Sequence, residues 1–390
     1  MDDDAPKVKL WTKDFILISA INFFLFASWQ MFPSVLPVYL QSLGASDIEL
    51  GLITTITTIA ALLIRPFGGL LLDRFGRRGI LIAGIAFMVV SVCAYSIFSA
   101  IFAIFVVRFL HGLSWGIAST SSQTVASDVI PPKRFGEGMG LFALSASLAL
   151  AIAPGFALEL FDREGFLPVV WVAIGFLLGA FGLSFLFKLV KTQVSQPFCV
   201  KNVFERTSLV PALLVLCLTM CYGGLITFLA LHAAAQGVEG IGIFFTAYAI
   251  AVALSRPILG KVVDRRGYGV IIVPGLVAMV VSLVLLAFAD SLILFVAVAF
   301  LFGFGFAACN STLQTMAVAD IPSERRGAAN ATYLVGFDSG IGLGALISGI
   351  VVSHAGYSGL YLCFAALPII AGVFFFLCAR KRKPPALRNK

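Results

Sequence analysis

Charge is scarce in this chain. Only 12% of its 390 residues are Asp, Glu, Lys or Arg, against roughly a quarter in soluble domains. A soluble protein of this length could bury a core but could not solvate so apolar a surface. Histidine occurs three times. The chain has no phosphate-binding loop, no nucleophile paired with a base and no cluster of metal-ligand types, so enzymatic catalysis, a cofactor and a metal are not expected. The seven cysteines are scattered with no CxxC pair, which argues against a disulfide framework or a zinc ribbon. Cys217 and Cys221 share a helix face at i, i+4 and read as small buried hydrophobes. No cleavable signal peptide is expected, because residues 1–13 are polar and the first apolar run is already full length.

Apolar residues, by contrast, make up 60% of the chain. Stretches of about 20 residues recur, each long enough to cross a hydrocarbon core of about 30 Å. Lipid offers no partner for a free amide, so such segments must be helical. The expectation is an all-α polytopic membrane protein with twelve spans, near 14–40, 48–72, 79–98, 101–128, 137–160, 167–189, 207–232, 240–263, 269–288, 291–318, 327–352 and 358–379. Residues 191–206 form the one long polar stretch inside the chain and read as a linker between an N-terminal half (1–190) and a C-terminal half (207–379); residues 380–390 form a basic tail. Lys and Arg set the topology. The N-terminus, linker and tail share a side with Arg74, Arg77, Arg78, Lys133, Arg134, Lys261, Arg265, Arg266, Arg325 and Arg326, and the opposite side has only Arg163. Both termini are therefore expected in the cytoplasm, with the protein in the cell membrane. The net charge of +8 is then carried by cytoplasmic loops and implies no nucleic acid.

The chain also repeats itself. Arg65-Pro66-Phe67-Gly68-Gly69 and Asp73-Arg74-Phe75-Gly76-Arg77-Arg78 have an echo in Arg256-Pro257, Gly260 and Asp264-Arg265-Arg266-Gly267, at a constant offset of 191. Gln123-Thr124 and Pro131 echo at the same offset in Gln314-Thr315 and Pro322. A fixed offset over so long a stretch means a duplicated half. The pattern Gly69-x-x-x-Asp73-Arg74-x-Gly76-Arg77-Arg78 resembles motif A of the major facilitator superfamily of secondary transporters, with a degenerate second copy over 260–267. The resemblance implies two pseudo-symmetric six-helix bundles. It also implies a cytoplasmic gate latched by Asp73 and Asp128 with the neighbouring arginines, repeated as Asp264 and Asp320.

Other motifs are closest to the drug–proton antiporters of that superfamily. Arg108-x-x-His111-Gly112 resembles their motif B, with His111 where a glutamine is common. Ala149, Ala153, Pro154 and Gly155 resemble motif C, and Pro154 is expected to kink its helix. Arg108, His111, Trp115, Ser119 and Ser122 fall on one helix face; a polar stripe is costly against lipid and should face an interior cavity. Asn22, Trp29, Gln30, Tyr222 and Asn310 are candidates for the same cavity. Span 1 carries no acid beyond its first turn, where many such antiporters have one. Asp338, deep in span 11 on a face of small residues, is the first candidate for a proton carrier, with His111 and Arg108 as rivals. The expected activity is proton-coupled export of small amphipathic compounds by alternating access, from a monomer whose partners are substrate, proton and lipid. The alternatives are uptake of an organic anion anchored by Arg108, or a lipid flippase or non-transporting sensor on the same fold.

Overall fold

The computed structural model describes residues 10–131, 134–186, 205–319, 321 and 326–378, without some side chains near 66–75, 135–140, 256–266 and 326–328. They form α1 (Lys13–Ser42), α2 (Asp47–Phe75), α3 (Arg77–Ala94), α4 (Ile101–Val129), α5 (Phe135–Glu164), α6 (Phe166–Phe185), α7 (Leu209–Ala235), α8 (Ile243–Arg266), α9 (Gly269–Ala287), α10 (Leu292–Val318) and α11 (Arg326–Cys378). A short 3₁₀ turn, Arg206–Ser208, leads into α7. Ten helices are long and apolar enough to cross a membrane, and no strand occurs among the described residues.

Helix ends follow local chemistry. Ser46 caps α2 in a reciprocal box: its hydroxyl accepts from the Glu49 amide, and its own amide donates to Glu49 Oε2 at 2.8 Å. Thr12 caps α1 by accepting from the Phe15 amide at 3.2 Å. One residue, Gly165, separates α5 from α6; its φ of 83° suits glycine alone. Span 3 was expected to reach 98, but α3 stops at Ala94 and Tyr95–Ile97 continue as a turn. Spans 11 and 12 were expected to be separated by a short loop. They form one element instead, whose helical geometry breaks at Gly356 (φ 69°) and nowhere else. Pro154 lies within α5, which stays helical from Phe135 to Glu164. Neighbouring helices can absorb a proline in a span.

α1 packs on α4, α5 and α6, and α4 packs on α2 and α3; α11 packs on α7 and α9, and α10 on α8 and α9. Helices α1–α6 and α7–α11 meet along two main seams, α2 against α11 and α5 against α8. The sequence repeat maps α2 onto α8 and α5 onto the first half of α11, so it exchanges the two seams. Both are tight at the end of the molecule that holds the α1–α2 and α5–α6 connections. There Thr55 Oγ1 donates to the Gly342 carbonyl at 2.8 Å, Thr54 and Thr227 hydroxyls lie 3.1 Å apart, and Thr246 Oγ1 donates to the Ala151 carbonyl at 2.8 Å. Glycine permits the approach: a Cβ on Gly155 would sit 2.8 Å from the Gly242 carbonyl oxygen. The outer faces are apolar, with Phe102, Trp171 and Ile293 largely exposed, as a lipid environment requires.

Gly112 shows how tight the packing is inside one half. A Cβ there would run into the Thr57 backbone and the Ala60 side chain of α2. Gly112→Leu should push α4 from α2 at an overpacking cost of about 1–3 kcal/mol. A clear fall in the unfolding temperature of the detergent-solubilised protein is expected; an unchanged temperature would mean that α2 and α4 do not pack as described.

Candidate functional site

A cavity of about 390 Å³ lies between the two sets of helices. It is lined from α1, α2, α4 and α5 and from α7, α8, α10 and α11; α3, α6 and α9 contribute nothing to it. The second group is the first shifted by one repeat.

Its walls are aromatic. On one side Trp29 and Trp115 stack at 4.3 Å with their planes 10° apart, and Phe26 meets Trp115 edge-on at 4.8 Å. On the other, Tyr222 stacks on Phe306 at 5.2 Å and on Tyr248 at 5.8 Å. Gln30 of α1 and Tyr222 of α7 line the space between the two walls. Such ring arrays offer a large apolar surface with few, placed polar groups. Asn310 lines the cavity, with its side-chain oxygen accepting from Tyr333 Oη at 2.6 Å.

Among the described residues, three charged side chains line this space: Arg65, Arg108 and Asp338. Arg65 Nη2 lies 3.2 Å from Asp338 Oδ2, an ion pair that joins α2 to α11 across the central seam. Arg108 is 2% exposed and belongs to no ion pair among the described residues. Its guanidinium carbon sits 5.2 Å from the centroid of Trp29, and its Nη1 is 3.3 Å from His111 Nδ1. Arginine only donates, so His111 Nδ1 accepts there.

His111 and Asn22 were expected at the cavity and do not line it. His111 is fully buried behind Arg108, against Trp29 and Phe32, with its Nδ1 3.4 Å from Tyr95 Oη. The polar face of α4 is wider than the cavity, so only Arg108, Trp115 and Ser119 of the predicted stripe reach it, joined by Gln123. Asn22 donates to Ser145 Oγ at 2.8 Å and accepts from Ser122 at 3.2 Å, binding α1 to α5 and α4.

At the other end of the first half, Arg77 pairs with Asp128 and Arg78 Nη2 donates to the Phe185 carbonyl at 2.8 Å. Both contacts join α3 to helices of its own half, and Gly76 makes the turn before them with a φ of 85°. Gly69 lies within α2 and Gly260 within α8. Asp320 and the side chains of Asp73, Arg74, Asp264 and Arg265 lie outside the described residues. Sequence reasoning missed Arg65 as a site residue, although its duplication as Arg256 was a signal of its importance.

The family model of the Major Facilitator Superfamily matches this chain twice, over residues 18–240 and 211–390. The staphylopine export protein of Staphylococcus aureus is 23% identical over 93% of this chain and 95% of its own length. The multidrug resistance protein MdtG of Serratia proteamaculans is 24% identical over 99% of this chain and 98% of its own. Among solved structures, a point mutant of the nucleoside transporter NupG superposes with a TM-score of 0.80 at 14% identity, over 93% of this chain and 99% of that one. A bacterial homologue of the human lysosomal transporter Spinster, inward-facing and unoccupied, superposes with a TM-score of 0.75 at 14% identity, over 93% and 95%. With two overlapping matches that run from residue 18 to the last residue, the chain belongs to the major facilitator superfamily and is an integral, multi-pass membrane transporter.

Proposed function

We propose that this transporter exports small amphipathic organic compounds across the cell membrane in exchange for protons. The observation that carries the reading is the Arg65–Asp338 pair in the wall of a central aromatic cavity. An ionised Asp338 attracts Arg65 across the seam; a proton on Asp338 cancels that attraction. Proton binding therefore changes the force between two helices that must part and meet again as the halves rock. One charge moved across 100 mV is worth about 2.3 kcal/mol, enough to drive accumulation roughly fiftyfold. The direction is supported by relatives named for export and multidrug resistance. Two six-helix halves (1–190 and 207–379) joined by a linker, cytoplasmic termini and a monomeric unit complete the proposal.

Uptake of an organic anion is the second reading, favoured by Arg108, a buried cation in the cavity wall with no acidic partner among the described residues. Flux in oriented vesicles separates the two directions, and a sensor or flippase would show no flux of soluble substrate.

The coupling test uses reconstituted protein under an imposed pH gradient. Asp338→Asn is expected to lose accumulation against a gradient while keeping downhill exchange, because cavity and rocking remain. His111→Gln is expected to retain uphill transport. The reverse pattern would move the proton site to α4. If both variants still couple, the proton mechanism fails and a sodium-coupled or uniport scheme replaces it.

Orientation is checked separately in whole cells. A cysteine at Ser42 should react with an impermeant thiol reagent added outside, and one at Gly79 should not. Opposite labelling would invert the topology.

A further inference from the structure

We propose that the substrate is an amphipathic organic monoanion, an aromatic carboxylate in the simplest case, whose carboxylate is held by Arg108 while its apolar body packs against the aromatic walls. The inference rests on the reading of the central cavity as the substrate site and does not depend on the coupling ion.

Charge balance in the cavity makes the argument. Among the described residues its charged lining side chains are Arg65, Arg108 and Asp338, and Arg65 and Asp338 neutralise each other at 3.2 Å. Of these, one positive charge is left, on Arg108. That guanidinium is almost wholly buried, so water does little to stabilise it. Beside it lie the ring of Trp29 and the imidazole of His111, whose Nδ1 also faces the Tyr95 hydroxyl; none of these is an acid. Its Nε is buried with no hydrogen-bond partner. A buried cation with an unused donor is stabilised most by an anion. The planar fork of arginine fits a carboxylate with two parallel bonds, which a lysine could not supply.

The position of the charge narrows the class further. Arg108 lies over Trp29, and Trp29 stacks on Trp115, so the cation sits at the edge of an aromatic wall. Tyr222 and Phe306 form a second wall from the other repeat. A ligand with a flat apolar body and one terminal acid meets both features at once. A lipophilic cation would place its charge beside Arg108 with only Asp338, already paired, to offset it.

The experiment measures binding to the purified full-length protein in lipid nanodiscs. Trp11 and Trp171 are exposed, at 63% and 58%, and neither lines the cavity. In a Trp11→Phe/Trp171→Phe background, Trp29 and Trp115 are the only tryptophans left. Their quenching is titrated with 2-naphthylacetate, its neutral amide and 2-naphthylethylamine. The acid is expected to bind on the order of tenfold more tightly than the amide, as a charge-assisted hydrogen bond warrants, and the amine more weakly than both. Arg108→Gln should bring the acid-to-amide ratio to about one, and Arg108→Lys should keep part of the preference. If Arg108→Gln does not fold, the ratios in the arginine-containing protein and in Arg108→Lys decide. Equal or tighter binding of amide or amine would overturn the anion class while leaving the cavity as the substrate site. An acid preference that survives in Arg108→Gln would remove Arg108 as the anchor. Absence of quenching by all three would overturn this inference together with the cavity reading.

Discussion

A bilayer interior supplies no hydrogen-bond partners, and the rest of this architecture follows from that constraint. Every backbone amide in a span must be satisfied by its own helix. Side chains gain little from leaving lipid for a protein interior, so helices must adhere by close packing. Glycine provides it where α2 meets α4, where α7 meets α11 and along both central seams, with neighbouring backbones so near that a single Cβ would collide. Hydroxyls add polar adhesion without charge. Most of the buried Ser and Thr side chains donate to a carbonyl three or four residues back, and Thr55 also donates to a carbonyl across a seam.

Charge obeys the same constraint. In the middle of the spans, the described charges are few, and Arg65, Arg108 and Asp338 face the cavity. Arg65 and Asp338 solve the problem by pairing, and the pair joins two helices from different halves. Arg108 solves it incompletely, with a π face and an imidazole in place of a carboxylate. One charge is thus held by an opposite charge on another helix, the other by neutral rings. Both line one cavity of about 390 Å³, where a charge placed beside one is felt by the other at short range.

The two central seams also show how the duplication is used in the packing. Because the repeat exchanges α2/α11 with α8/α5, similar packing surfaces face each other twice. At one end Thr55 bonds across the α2/α11 seam, Thr246 bonds across the α8/α5 seam, and Thr54 of α2 meets Thr227 of α7.

The sequence alone determined the solvent, the secondary structure and the duplication. Apolar runs of span length leave helix as the only backbone solution, and the offset of 191 can be read without coordinates. Asp338, Trp29, Trp115 and Arg108 were legible as interior residues because polar or bulky amphipathic groups are costly against lipid. Tertiary structure decided which of them share a space. Asn22 and His111 looked like cavity residues by helical spacing, yet a helix buried on several sides has more than one interior face, and periodicity does not say which one meets the cavity. The partner of Asp338 lies on α2, hundreds of residues away in the chain; no local pattern encodes that distance. The break in α11 came at one glycine because a single positive φ can separate two spans without a loop. Local chemistry specifies what each segment must avoid, and only the packing of segments from both halves specifies what each side chain meets.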